Sequence, residues 1–474
     1  MKFFIAVLSI FFIFFSKSDA SSNLSYQASL DYNKSTNSFL PFVEFSKDPF
    51  TQLSIFPGHT LGSWGNSGAF AALREDKRVI TWGDRVNGGD SKKVQDRLFD
   101  VKKIYSNSYA FAALKENGEV VTWGRDIYGG DSRAVEEKLN NIVSIFSTKK
   151  AFAALKRDGK VVTWGGFVSG GDSKEVAKSL INIKTIFSSE CAFAALKKNG
   201  EVVTWGSSEC GGDSSKVKKE LKDVVVIYST AKAFAALKSN GDVVVWGNKE
   251  YGGDTLDFNL HKITKLYSNQ DSFVAINTNQ EAFIWGGKDK NSLIVKNVKE
   301  VVPSLYNFTI IKNNNIALSL TKNKQKNYLR ESISKIYANN VSFSALTLKN
   351  RVILWGDSGY KNPLELPIKA DKIKYIYSNA YAFVALKKDK SVESWGYKEA
   401  GGELTKELKK QLKDIHSISS SGSKELYPSG AFAALKENGE VVTWGSKASG
   451  GDSSSVKKSL HNIIYITSYN KTSF

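Results

Sequence analysis

The sequence predicts an all-β repeat protein: a β-propeller-like ring of about ten three-stranded blades, with one short helix in each repeat. Three observations carry this. Tryptophans recur at a fixed spacing, each lies in a hairpin that is apolar on both faces, and a Gly-Gly-Asp connector follows six of the hairpins. Fixed-period self-similarity marks an array of supersecondary units stacked on one another.

The period comes first. Trp82, Trp123, Trp164, Trp205 and Trp246 stand 41 residues apart; Trp285 follows after 39, Trp355 after 70, Trp395 after 40 and Trp444 after 49. The long gap hides an eroded copy, in which Phe308 keeps the phenylalanine position and Leu320 stands where Trp is expected. Phe70, 111, 152, 193, 234, 273, 308, 343, 383 and 432 therefore mark ten units. Residues 110–124 and 431–445 are identical.

The hairpin comes second. In the unit at 192–206, two apolar runs flank Asn199-Gly200, a strong turn signal. A two-residue turn would pair 198 with 201. Ala194 would then face Trp205 and Leu196 would face Val203. Phe193, Ala195, Val202 and Thr204 would fill the other side. A sheet with one wet face alternates apolar and polar residues, so a hairpin apolar on both faces must be covered on both. Stacked blades supply that cover.

The connector comes third. After Trp-Gly come four residues and then Gly-Gly-Asp, at Gly88-Gly89-Asp90 and its counterparts ending in Asp131, Asp172, Asp213, Asp254 and Asp452. Asp and Ser cap helices well, and Val94/Leu98 and their equivalents at i, i+4 predict one short amphipathic helix. A third strand such as 101–106 leads into the next hairpin. Asp-rich Gly loops bind calcium in some arrays, but one Asp per unit falls short of the six to eight oxygens calcium takes, so capping is the expected role.

At this point the strand ending in Leu, the Asn/Asp-Gly turn and the strand ending in Trp-Gly resemble the repeat of the regulator of chromosome condensation family. The resemblance covers about 60–474 and implies a β-propeller. This chain departs from the pattern in its shorter repeats, in Gly-Gly-Asp and a helix replacing a Gly-Gln-Leu-Gly-like segment and strand, and in ten copies for the usual seven. The family's founding member exchanges nucleotide on a small nuclear GTPase through a wedge inserted from one blade. The uniform 41-residue units leave no room for such a wedge. The strand-like 463–466 is placed to complete the first blade and close a ring; the alternative is an open superhelical β-repeat array.

The domain plan follows. Lys2, the uncharged run Phe3–Phe15 and the small residues Ser18 and Ala20 read as a signal peptide over 1–20. The run is shorter than the roughly 20 residues a membrane helix needs, and no later run is long enough to span. Residues 21–59 form an N-terminal segment and 60–474 the repeat domain, with 287–345 degenerate. The net charge of +19 favours acidic partners.

Chemistry is sparse. His59, His261, His416 and His461 sit in no catalytic or metal-binding spacing. No enzyme activity, cofactor or metal is expected. Cys191 and Cys210 lie at the same end of one hairpin, 191 pairing with 208, and are expected to form a disulfide. Lys312, Lys322, Lys324, Lys326 and Arg330 make a candidate basic contact surface in the degenerate stretch. The insert around Ser417–Ser429 reads as an exposed loop, and Asn23, Asn33, Asn307, Asn340 and Asn470 lie in glycosylation sequons.

The expected function is a secreted or surface-exposed binding scaffold. Its repeat loops would contact a protein or an acidic polysaccharide or lipid surface; nucleic acid is not expected. The alternative is an exchange-factor-like regulatory protein acting on an intracellular, even host, partner.

Overall fold

The computed structural model describes residues 25–33, 38–46, 65–255, 258–287, 293–305, 307–320, 326–340, 342–356, 364–422 and 430–468; of these, 25–33, 38–46 and 326–330 are described as backbone only. The expected signal peptide, His59 and the sequons at Asn23 and Asn470 lie outside the described residues.

The described residues form ten blades. Blade 2 is typical: Val101–Ser106 pairs antiparallel with Ala110–Lys115, which pairs with Val120–Gly124. Blades 3, 4, 5, 9 and 10 repeat this order at 142–165, 183–206, 224–247, 373–396 and 415–445. First strands of successive blades run beside one another, so they form the inner ring. An N-terminal hairpin, Ser25–Asn33 with Ser38–Ser46, lies against the inner strand Ile263–Ser268 of blade 6.

The ring closes. The last strand, Ile463–Thr467, pairs with Ala69–Arg74 and so completes blade 1 with Val79–Gly83. The apolar core is a set of clusters, each shared between neighbouring blades. One joins Ala110, Ala112 and Leu114 of blade 2 to Phe152, Ala154 and Trp164 of blade 3. Another joins Phe70, Ala72 and Trp82 of blade 1 to Ala431, Ala433 and Leu435 of blade 10. An open superhelix would leave those two faces wet.

The register differs from expectation by one residue. Lys197 N–H donates to Glu201 O at 2.9 Å, so the loop holds three residues rather than two. Only Gly200 takes positive φ, at +82°, as in a type I turn followed by a left-handed bulge residue. A two-residue primed turn would need positive φ at Asn199 too. Asn199 instead accepts from Glu201 N–H at 3.2 Å. Phe193 therefore faces Trp205, Ala194 faces Thr204 and Leu196 faces Val202. The Phe and Trp rings stack, with centroids 5.1 Å apart.

That one-residue difference builds the joint between blades. Trp123 Nε1 donates to Gly88 O of the preceding blade at 3.0 Å, and Trp164, Trp205 and Trp246 donate likewise to Gly129, Gly170 and Gly211. Trp82 donates to Gly450 O, so blade 1 docks on blade 10 by the same joint. Gly88 must be glycine: its φ is +104°, and a Cβ there would sit 2.6 Å from the Phe111 ring. The inner ring is sewn in parallel. Ser188 Oγ donates to Ser147 O at 2.8 Å, and Ser147 Oγ to Ser106 O at 2.8 Å.

The expected connector helix is short 3₁₀ turns, such as Asp126–Tyr128 and Arg133–Lys138; α-helix appears at Lys406–Gln411. The α-helical copy is the one whose N-cap bonds: Thr405 Oγ1 accepts from Leu408 N–H at 3.2 Å, while the Ser N-caps of the 3₁₀ copies make no such bond. In blades 6 to 8 the connector becomes a fourth strand. Leu293–Val295 extends blade 6 and Leu364–Lys369 extends blade 8. The strand Lys326–Ala338 serves as the outer strand of blade 7 and then the inner strand of blade 8.

Candidate interaction face

Each recurrent residue of the connector has a structural partner. The Asp of Gly-Gly-Asp accepts the backbone N–H two residues on: Lys92 to Asp90 at 3.0 Å, Arg133 to Asp131 at 2.9 Å, Ser215 to Asp213 at 2.8 Å and Ser454 to Asp452 at 2.9 Å. The Asp stands one residue before the N-cap Ser, which makes no side-chain capping bond itself, so these bonds are Asx-type turns that lead the chain into the second turn. The backbone N–H of Lys92 holds the Asp90 carboxyl below the usual carboxylate range, as the Arg133 guanidinium and N–H do for Asp131. The following Ser binds the Thr of the Trp strand, as Thr122 Oγ1 does to Ser132 Oγ at 3.0 Å and Thr204 to Ser214 at 2.9 Å. Asx-type turns and cross-tying account for the motif without a metal.

The other predicted residues scatter. Cys191 and Cys210 are bonded in a disulfide, with Cα atoms 5.6 Å apart. Ser207, not residue 208, is the neighbour of Cys191, its N–H donating to Cys191 O at 3.0 Å, and the 3₁₀ turn Ser208–Cys210 carries Cys210 back to its partner. Lys312 ends the strand Phe308–Lys312 and is half-buried. Lys326 and Arg330 lie along the strand Lys326–Ala338, while Lys322 and Lys324 lie outside the described residues, as do residues 423–429 of the insert. His261 hydrogen-bonds Asp242 on the surface, far in sequence from His416 and His461.

The feature the sequence reading passed over is the pair of residues between Trp-Gly and Gly-Gly. In every blade that keeps the connector, the second and third of its four residues are exposed. In blades 4, 5 and 9 these are Ser208-Glu209, Lys249-Glu250 and Lys398-Glu399. In blades 1, 2 and 3 they are Arg85-Val86, Asp126-Ile127 and Phe167-Val168. Phe167, Ile127 and Val168 are the most exposed large apolar side chains among the described residues, at 73, 68 and 67 %, and Val86 is 58 % exposed. Scattered exposed apolar residues need no explanation, but these stand at equivalent connector places in three successive blades, as the residues of a contact surface would. Aligning the seven retained connectors by their Trp-Gly would have shown the set in the sequence.

Aromatics and cations back this arc. Tyr109 and Tyr128 lie 4.9 Å apart, centroid to centroid. The Arg125 guanidinium sits 5.1 Å over Tyr109, and Lys150 Nζ sits 4.9 Å over Tyr128. Lys150 O accepts from Gly166 N–H, which places Lys150 beside Phe167. Among the described residues neither Arg125 nor Lys150 forms an ion pair with a carboxylate. No helix among the described residues is long and apolar enough to cross a membrane.

The fold and this face define a repeat β-propeller with an asymmetric loop face. No protein-family model matches the chain, and no curated protein matches it. Solved structures similar to it include yeast RCC1 (Prp20) bound to Kap60, at 16% identity and TM-score 0.32, covering 84% of this chain and 88% of that one. Prp20p from Saccharomyces cerevisiae, a structure described with its binding properties to Gsp1p and histones, aligns at 15% identity and TM-score 0.31 over 72% of this chain and 83% of that one. The CRINKLY WD40 ectodomain of the Arabidopsis thaliana receptor kinase ACR4 aligns at 13% identity and TM-score 0.29, covering 60% and 90%. Likenesses at this level carry no argument about function, and the fold is argued from the chain's own sheets.

Proposed function

We propose that this chain is an exported binding scaffold and not an enzyme, and that it engages its partner through the connector loops of blades 1 to 3. The exposed arc of Val86, Ile127, Phe167 and Val168 is the observation that carries this. Those side chains have no role in the inter-blade joints, whereas nearly every other recurrent residue has one. The N-terminal run over 1–20 supports export as a signal peptide, and the paired cysteines suit an oxidising compartment. The charge of +19 favours a protein or acidic glycan or lipid surface as partner.

The test has two arms. Tagged chain is expected in the medium or on the surface of the producing cell; retention in its cytoplasm overturns the export reading. Purified chain is then bound to surface extracts at low and high salt, beside a variant carrying Ile127→Ser and Phe167→Ser. Loss of binding in the variant is expected. Full retention by the variant removes the arc as the binding site.

A further inference from the structure

We propose that the apolar arc is a membrane-contact face, whose partner is an anionic lipid surface. This rests on the scaffold reading above and names the partner for the same site.

The first argument is shape. A side chain at the floor of a protein-binding groove is partly covered by the groove walls. Val86, Ile127, Phe167 and Val168 are instead exposed by more than half, as loop tips are. Val86, Ile127 and Val168 occupy the same place, the third residue of the connector, in a unit repeated by rotation about the ring, and Phe167 stands beside Val168 at the second, so the tips recur on the same side of adjacent blades. A bilayer interface accepts a row of apolar tips without a preformed pocket; a protein partner must be carved to fit each one. Apolar tips backed by tyrosines and cations match interfacial binding, in which apolar groups enter the headgroup boundary while cations attract acidic lipids.

The second argument is charge. Arg125 and Lys150 flank the tips and are not paired with carboxylates among the described residues. At the place of Ile127, blades 4, 5 and 9 carry Glu209, Glu250 and Glu399, the last two beside Lys249 and Lys398, so no apolar tip stands there. The same ring of loops is thus apolar at its tips on one side and charged on the other. The chain would dock tilted, blades 1 to 3 down.

The experiment is sedimentation of the purified full chain with vesicles of phosphatidylcholine alone or phosphatidylcholine mixed with phosphatidylserine. Binding to the mixed vesicles is expected, with little to the neutral ones. Ile127→Ser with Phe167→Ser should weaken it about tenfold or more. Arg125→Gln with Lys150→Gln should abolish the preference for phosphatidylserine, at about fivefold per cation. Glu209→Val should strengthen binding. Ile127, Phe167 and Glu209 are exposed, while Arg125 and Lys150 are half-buried over tyrosine rings, so thermal unfolding of each variant is compared with that of the parent, which separates lost contact from lost folding. No vesicle binding by a chain that still binds surface extracts through the arc overturns the lipid partner and leaves the scaffold reading standing, with a protein or glycan as occupant. Vesicle binding unchanged by the tip substitutions overturns the placement. If the tip variant also keeps all binding to surface extracts, the scaffold reading falls with it.

Discussion

Blades 2 to 5 and blades 6 to 8 are built from the same unit, and they satisfy their buried polar groups very differently. Between residues 101 and 255 every buried side-chain polar atom among the described residues has a hydrogen-bond partner. Between 298 and 356 several do not: Asn307 Oδ1, Thr309 Oγ1 and Ser344 Oγ stand without one among the described residues, and so does Trp395 Nε1 of blade 9, which follows the irregular connector of blade 8. Thr309 and Ser344 occupy the place of Ala112, immediately after the blade phenylalanine, and are fully buried. The connectors differ in parallel. The regular blades carry the Gly-Gly turn that receives the next tryptophan, and the irregular ones carry a fourth strand. Buried donors and acceptors are supplied by neighbouring copies, so a copy that drifts orphans groups in its neighbour as well as its own.

The largest effects test the joint. Gly129→Ala places a Cβ 2.6 Å from the Phe152 ring at φ +105° and should destabilise the ring by several kcal/mol, about as much as Trp164→Ala, at roughly 3–5 kcal/mol. The contrast is sharpened by Trp164→Phe against Trp395→Phe. The first leaves Gly129 O without its donor, so it should cost about 1–3 kcal/mol more than the second in denaturant unfolding. Equal costs would break the comparison.

Cys191→Ser with Cys210→Ser should cost about 3 kcal/mol, from a bond separating residues 19 apart. Reducing agent should lower the melting temperature of the parent but not of this variant. Smaller and opposite in sign is Thr309→Val, which keeps the side-chain shape and removes the orphan hydroxyl. It should raise stability by about 1 kcal/mol, while Ala112→Ser in the regular arc should lower it by a similar amount. A neutral result for both would show that the irregular blades are not limited by unpaired polar groups.

The smallest effect is acid sensitivity. The carboxyls of Asp90, Asp131, Asp213 and Asp452 are held below their ordinary range in the folded chain. Their contribution is complete above the unfolded carboxyl value of about 3.9 and is lost as pH falls through the lower folded values. Hydrogen exchange should therefore quicken in the Gly-Gly-Asp connectors on acidification below about pH 4. The stretch 298–369, which carries no such motif, should change less there.

Much of this was legible in the chain. The period, the ten units and the degenerate stretch can be read from Trp82 to Trp444, because a repeated core needs the same large side chains in each copy. The apolar faces of Phe193 and Leu196 announced stacking for the same reason. The register was not legible: Asn-Gly serves both two- and three-residue loops, and only the backbone conformation at Asn199 and Gly200 separates them. The interaction arc was hidden for a different reason. Val86, Ile127 and Phe167 are unremarkable singly and acquire meaning only as neighbours.

The sequence by itself determined the unit, its copy number and the pairing of one cysteine with the other, since these depend on local patterning and on residues close in the chain. Tertiary structure decided that 463–467 returns to 69–74, that tryptophans dock on the preceding blade's Gly-Gly, and that three connectors form one apolar arc. Each of these joins residues far apart in sequence. Which of them meet depends on the rotation each blade adds to the last, a sum over the whole ring that no single repeat encodes.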